Sequence, residues 1–151
     1  MGTLAFLFMF AIKHKGLNQQ EMDFMYSQDV NARRNIAQLA LKGFFNMAAR
    51  WELTRPEAMT LLGLTATSTY ANWKNGKTGT IPRDTLERIS YLLNIDEQLR
   101  QIHPTDTAVS MWLRHKSNDD NGGSPLDKML QGNVIDLYWV QQNLPQLLAT
   151  G

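Results

Sequence analysis

The chain has 151 residues, of which 43% are apolar and 19% charged, with a formal net charge of +1. That is room for one compact domain or two small ones with a packed core, and it excludes wholesale disorder. There is no cysteine, so disulfide frameworks, thiolate metal sites and thiol catalysis are excluded, and a reducing cytoplasm is the expected compartment.

The chain opens on Leu4-Ala5-Phe6-Leu7-Phe8-Met9-Phe10-Ala11-Ile12, an apolar run too short to span a bilayer and without the basic flank of a signal peptide. Residues 1–32 are read as an N-terminal extension that assigns itself no role. From Arg33 to Leu53, Ile36, Leu39, Ala40, Phe44, Met47 and Trp51 recur at three- and four-residue steps, the apolar face of a helix. Thr54-Arg55-Pro56-Glu57 is a capping box for a second helix, closed by Gly63. Thr65 or Thr67 is the expected cap of a third helix, which carries Tyr70 and Trp73 and ends at Asn75-Gly76. Asp84 is the expected start of a fourth, with Glu87 as its capping partner and Leu86, Ile89, Leu92 and Leu93 as its apolar face.

Beyond Asn94-Ile95 two or three more helical pieces follow: one around Ala108, Val109, Met111, Trp112 and Leu113, then one opened by Ser124-Pro125 and stopped by Gly132. The last is capped by Asn133, with Asp136 in its first turn and Pro145 expected to end or kink it. No run of alternating β-branched residues appears, so the chain is expected to be all-α. The expected organisation is 1–32, 33–100 and 101–151, with the boundary of the last two near residues 95–105. Residues 33–100 carry ten Lys/Arg against six Asp/Glu, while residues 101–151 carry three against five. A basic middle and an acidic end fit two surfaces with different partners.

Residues 71–79, ANWKNGKTG, contain the Gly-Lys-Thr of a phosphate loop, but Ala71 stands where that loop needs Gly, and a helix precedes it in place of a strand. Gly76 reads instead as a helix stop and Lys77 as a solvated cation near the helix end. His14, His103 and His115 show no metal spacing. Ser124, His115 and Asp127 can be drawn as a triad but lie in no nucleophile elbow. Catalysis, a metal and a cofactor are therefore not expected.

A helix, a Gly-containing turn and a second helix over residues 55–75 fit a unit whose second helix enters the major groove. Tyr70 and Trp73 then face the core, and Thr67, Ser68, Thr69 and Asn72 face base edges, Asn being suited to adenine. Lys74, Lys77 and Arg83 are placed to meet phosphates. A plain antiparallel helix pair with a polar surface accounts for the same pattern. In the last helix Val134, Leu137, Tyr138 and Val140 or Leu144 form one apolar stripe, with Ile135 and Trp139 a second on another side. A helix apolar on two sides is buried on both or meets a partner.

Met59-Thr60-Leu61-Leu62-Gly63-Leu64, Ser68-Thr69-Tyr70, Trp73-Lys74 and the run Asp84 to Ile95 resemble the helix-turn-helix half of the Xre/MbcA/ParS antitoxins. Trp112-Leu113, the run Gly122 to Asn133, Asp136-Leu137 and Val140 resemble that family's toxin-binding half. The resemblance covers roughly residues 40–148. It implies a type II toxin–antitoxin system, with a RES-type toxin that consumes NAD⁺ as partner. It also implies a homodimeric helix-turn-helix that represses its own operon by binding operator DNA. NAD⁺ would be the toxin's substrate and no cofactor of this chain, and no membrane role is implied. Candidate toxin-binding residues are Pro125, Leu126, Ile135, Trp139, Gln142, Asn143 and Gly151, with Pro125 and Leu126 reading equally as helix start and core. The alternative is a stand-alone helix-turn-helix repressor without a toxin partner.

Overall fold

The computed structural model describes residues 30–118 and 123–150. The expectations for residues 1–29, for Gly122 and for Gly151 lie outside them. The described residues form seven α-helices and no strand: α1 Val30–Arg50, α2 Arg55–Leu62, α3 Thr67–Lys74, α4 Arg83–Ile102, α5 Asp106–Arg114, α6 Pro125–Met129 and α7 Val134–Thr150. The fold is all-α.

Local chemistry sets most helix ends. Thr54 Oγ1 accepts from Glu57 N at 3.3 Å while Glu57 Oε1 accepts from Thr54 N at 2.9 Å, the capping box that starts α2. Gly63 stops α2 at φ 74°, with Leu64 N donating to Met59 O at 2.8 Å. A side chain at such a φ is strained, so glycine suits the position. Gly76, at φ 85°, ends α3 in the same way, with Lys77 N donating to Asn72 O at 2.8 Å. Ser124 and Asp127 form a second capping box, at 3.0 Å in both directions, and Pro125 follows as the first residue of α6.

Three expected ends differ. α3 is preceded by Ala66, and no side chain caps it, so neither Thr65 nor Thr67 serves. α4 starts at Arg83 behind Pro82, again without a side-chain cap. Asp84 is engaged by Arg88 at 2.7 Å and Glu87 by the Tyr91 hydroxyl at 3.2 Å, so the two do not pair as a cap. Pro145 lies inside α7, which continues to Thr150. Leu144 before it and Leu147 and Leu148 after it still pack on the core, and this packing outweighs the lost backbone bond.

All seven helices contribute to one apolar core. Phe44, Met47 and Trp51 of α1, Leu61 and Leu62 of α2, Tyr70 and Trp73 of α3 and Leu86, Ile89, Leu92, Ile95 and Leu99 of α4 are buried. So are Val109 and Leu113 of α5, Leu126 and Met129 of α6 and Leu137, Val140 and Leu144 of α7. α4 is the common element, packed against α1, α2, α5 and α7. The stretch 95–105, read as a boundary from sequence, falls on the second half of continuous α4 and the short link after it. Polar bonds fasten the same joints. Asp96, 3% exposed, accepts from Trp51 Nε1 at 2.9 Å and is bonded by Arg50, which ties α1 to α4. Gln141 Nε2 donates to Asn94 Oδ1 at 3.0 Å, from α7 to α4.

Candidate functional site

In the α2–α3 segment, α3 has one seated face and one open face. α3 is eight residues long and buries only Tyr70 and Trp73, both 8% exposed. Phe45 of α1 meets Tyr70 edge-on at 5.6 Å, which seats the helix. The opposite face is open: Thr67, Ser68, Asn72 and Lys74 are exposed, as are Ala71 and Asn75, while Thr69 is half-buried. Thr69 therefore presents less of itself than its position in the pattern implied. Lys74 Nζ sits 5.9 Å from the Tyr70 ring centroid, so the seating residue also orients the cation. Lys77 follows the stop at Gly76, and Arg83 opens α4. Both are exposed. Because no side chain caps α3, its first backbone N–H groups keep their capacity for an anion.

A second surface lies on α7. Ile135 is 66% exposed, Tyr138 45% and Trp139 43%. At spacings of three and four they form one stripe on the first two turns. The Trp139 ring carries Lys128 Nζ at 5.3 Å, and the same Nζ bonds Asp136 Oδ1 at 3.1 Å. Tyr138 meets Tyr91 of α4 edge-on at 5.7 Å. The sequence pattern places Tyr138 in one apolar stripe with Leu137. The structure puts it outside beside Trp139, because Leu137, Val140, Gln141 and Leu144 fill the inner face. Beside the stripe, α5, α6 and α7 frame a cleft of about 700 Å³ whose walls include Trp112, His115, Lys128 and Trp139.

The other partner-binding candidates separate clearly. Gln142 is exposed. Asn143 is half-buried and donates to Trp139 O at 2.8 Å. Pro125 is half-buried at the start of α6. Leu126, 2% exposed, belongs to the core and offers a partner no surface, because the capping box turns the short α6 with Leu126 inward. Ser124 Oγ accepts from Asp127 N and acts as a helix cap. Among the described residues no group of His, Asp and Glu is placed to hold a metal ion, and no helix is long and apolar enough to cross a membrane.

Carboxylates bind the two regions together. Arg114 of α5 bonds both oxygens of Glu57, at 3.0 and 3.1 Å. That bond, more than the opposing partial burial, holds the Glu57 carboxyl below its ordinary value. The Ser124 backbone N–H does the same for Asp127, whose burial works the other way. For Asp136 the largest influence, burial, pushes upward, but bonds from Lys128 and Asn133 together outweigh it and the carboxyl is held low. Burial first, and then Glu87, pushes the Tyr91 phenol up to about 12.

Comparison with known proteins agrees with this geometry. Residues 31–94, which span α1 to the middle of α4, match the antitoxin Xre-like helix-turn-helix domain. The chain is 40% identical over 104 residues to the uncharacterized protein y4oB of Sinorhizobium fredii, a match that covers 69% of this chain and 80% of that one. No solved structure matches the chain. With the matched domain coinciding with the helices that seat and expose α3, the chain belongs to the Xre-like helix-turn-helix antitoxin family.

Proposed function

We propose that this chain is the antitoxin of a type II toxin–antitoxin system. It binds and neutralises a RES-type toxin that consumes NAD⁺, and as a homodimer in the cytoplasm it represses its own operon. The exposed face of α3 meets operator DNA, with Ser68 and Asn72 toward base edges and Lys74, Lys77 and Arg83 toward phosphates. The face of α7 meets the toxin through Ile135, Trp139 and Gln142, with Tyr138 added to the patch. Pro125 and Asn143 lie at its edge, and Gly151 is kept as a candidate from the family resemblance.

The observation that carries this reading is the Ile135–Tyr138–Trp139 stripe, exposed on a helix outside the matched DNA-binding domain. A repressor with DNA as its only partner has no use for it. Large aromatic side chains are the residues on which protein interfaces concentrate their energy, and here Lys128 sets one cation beside them.

The test is co-purification of the full chain with the protein encoded beside it, followed by an NAD⁺-loss assay. Truncation is unsuitable, since α7 supplies Leu137, Val140 and Leu144 to the common core. Trp139→Ala is the better probe. It is expected to weaken the complex by about 2 kcal/mol, the scale of an interface hot spot, and to release the NAD⁺-consuming activity. DNA binding should be unchanged. An adjacent protein that neither binds the chain nor loses activity in its presence would remove the antitoxin reading and leave the stand-alone repressor.

A further inference from the structure

We propose that Arg88 is a positioning residue for DNA reading: it braces the turn that aims α3 and takes its own anchor from the C-terminal half of the chain. The inference rests on the proposed role of α3 in DNA binding. α3 is held by Tyr70 and Trp73, its fourth and seventh residues, so Thr67, Ser68 and Thr69 precede both anchors. The pose of Thr67, Ser68 and Thr69, at the end that would enter the groove, depends on the turn before them. That turn begins at Gly63.

Arg88 lies behind this turn. It is 8% exposed, and a cation that deep is costly to bury without partners. Its Nε donates to Asp84 Oδ2 at 2.7 Å and its Nη2 to Gly132 O at 3.0 Å. The first partner is next to Arg83, at the start of α4. The second is in the link between α6 and α7. With both ends of the fork fixed, the guanidinium lies against Gly63: a Cβ built on that glycine would stand 2.9 Å from Nε and 3.1 Å from Cζ. Thr60 of α2 also faces Gly132, its Cγ2 3.9 Å from a Cβ built there. The α2–α3 turn, the first turn of α4 and the α6–α7 link thus converge on one side chain. An aliphatic residue would fill the space. The planar fork adds a direction, because its two bonds fix where the turn's support stands.

Full-length Arg88→Met, Arg88→Lys and Asp84→Asn test the proposal. The probes are a duplex taken from immediately upstream of the chain's own gene and a scrambled duplex of equal length. Thermal unfolding is followed in parallel. Wild type must prefer its own duplex; a wild type without preference defeats the DNA reading itself rather than the role of Arg88. Given that preference, Arg88→Met is expected to lower the ratio of specific to non-specific affinity roughly tenfold, the scale of one charged hydrogen bond. The salt slope should stay unchanged, since no phosphate contact is removed. Arg88→Lys should restore part of the ratio, because an ammonium reaches one partner but not both. Asp84→Asn, at a largely exposed carboxylate, should shift the ratio the same way by less. A folded Arg88→Met with an unchanged ratio overturns the proposal, as does a salt slope lower by about one, which would make Arg88 a direct phosphate contact. If Arg88→Met does not fold, unchanged ratios in both milder variants overturn it.

Discussion

Asp96→Ala is expected to lower the unfolding free energy by about 3 kcal/mol, from an unsatisfied buried donor and a broken, partly solvated ion pair. Asp96 is 3% exposed, and its carboxylate accepts from Trp51 Nε1 at 2.9 Å. Trp51 is fully buried, so its N–H would be left with no acceptor and no water. Arg50 would lose its ion-pair partner, but its side chain is 24% exposed and can turn toward solvent, so its share is smaller than that of a sealed pair. Arg100, 55% exposed and 3.8 Å away, adds little. Asp96→Asn separates the components. It keeps an oxygen for Trp51 and removes the charge, and it is expected to cost about half as much as the alanine. Urea unfolding followed by tryptophan fluorescence reads both variants. With the slope usual for a small domain, the alanine variant's midpoint should fall by roughly 2 M. A shift below about 0.5 M for Asp96→Ala would show that the α1–α4 lock is not energetic. An asparagine as damaging as the alanine would show that the indole bond contributes nothing.

Acid should loosen the joint between α2 and α5. The Glu57 carboxyl is held low by Arg114. Its contribution is therefore present above the ordinary value of 4.5 and is lost as the pH falls through the lower folded value. Asp127 and Asp136 act in the same direction. Stability measured from pH 6 down to pH 3 should decline, and Glu57→Gln should make the decline shallower; an unchanged profile would remove the Arg114 bond from the account. On the DNA face, Asn72→Ala should relax sequence preference, while Lys77→Ala should weaken all sequences about equally and reduce the salt slope by about one. Binding titrations at several salt concentrations check this, and intact specificity in Asn72→Ala would put the reading face elsewhere on α3.

Much of the architecture was legible because it is written in local chemistry. The capping boxes at Thr54–Glu57 and Ser124–Asp127, and the glycine stops at 63 and 76, need only a few neighbouring residues. The apolar spacing of α1 and α4 gave their buried faces, and Trp73 was correctly placed inward. The other features depend on which partner a side chain takes, or on what packs against it. Asp84 and Glu87 look like a cap until Arg88 and Tyr91 claim them. Pro145 looks like a helix end until the leucines on either side find the core. Leu126 is in the core, the reading that competed with its candidacy for a partner, and Tyr138 is exposed because other residues of its helix fill the packed face. The fastening of Asp96 to Trp51 spans 45 residues, and that of Arg88 to Gly132 spans 44. No local pattern announces either.

The α4–α7 joint has a consequence for how long each activity lasts in a cell. With one continuous core, the chain should melt as a single cooperative unit rather than half by half. A protease that cuts within α7 would take Leu137, Val140 and Leu144 out of the common core and leave Asn94 without its Gln141 bond, and the α3 platform would lose its footing in the same event. The surfaces on α3 and α7 would then share one lifetime, so a single cleavage would end whatever binding each of them supports.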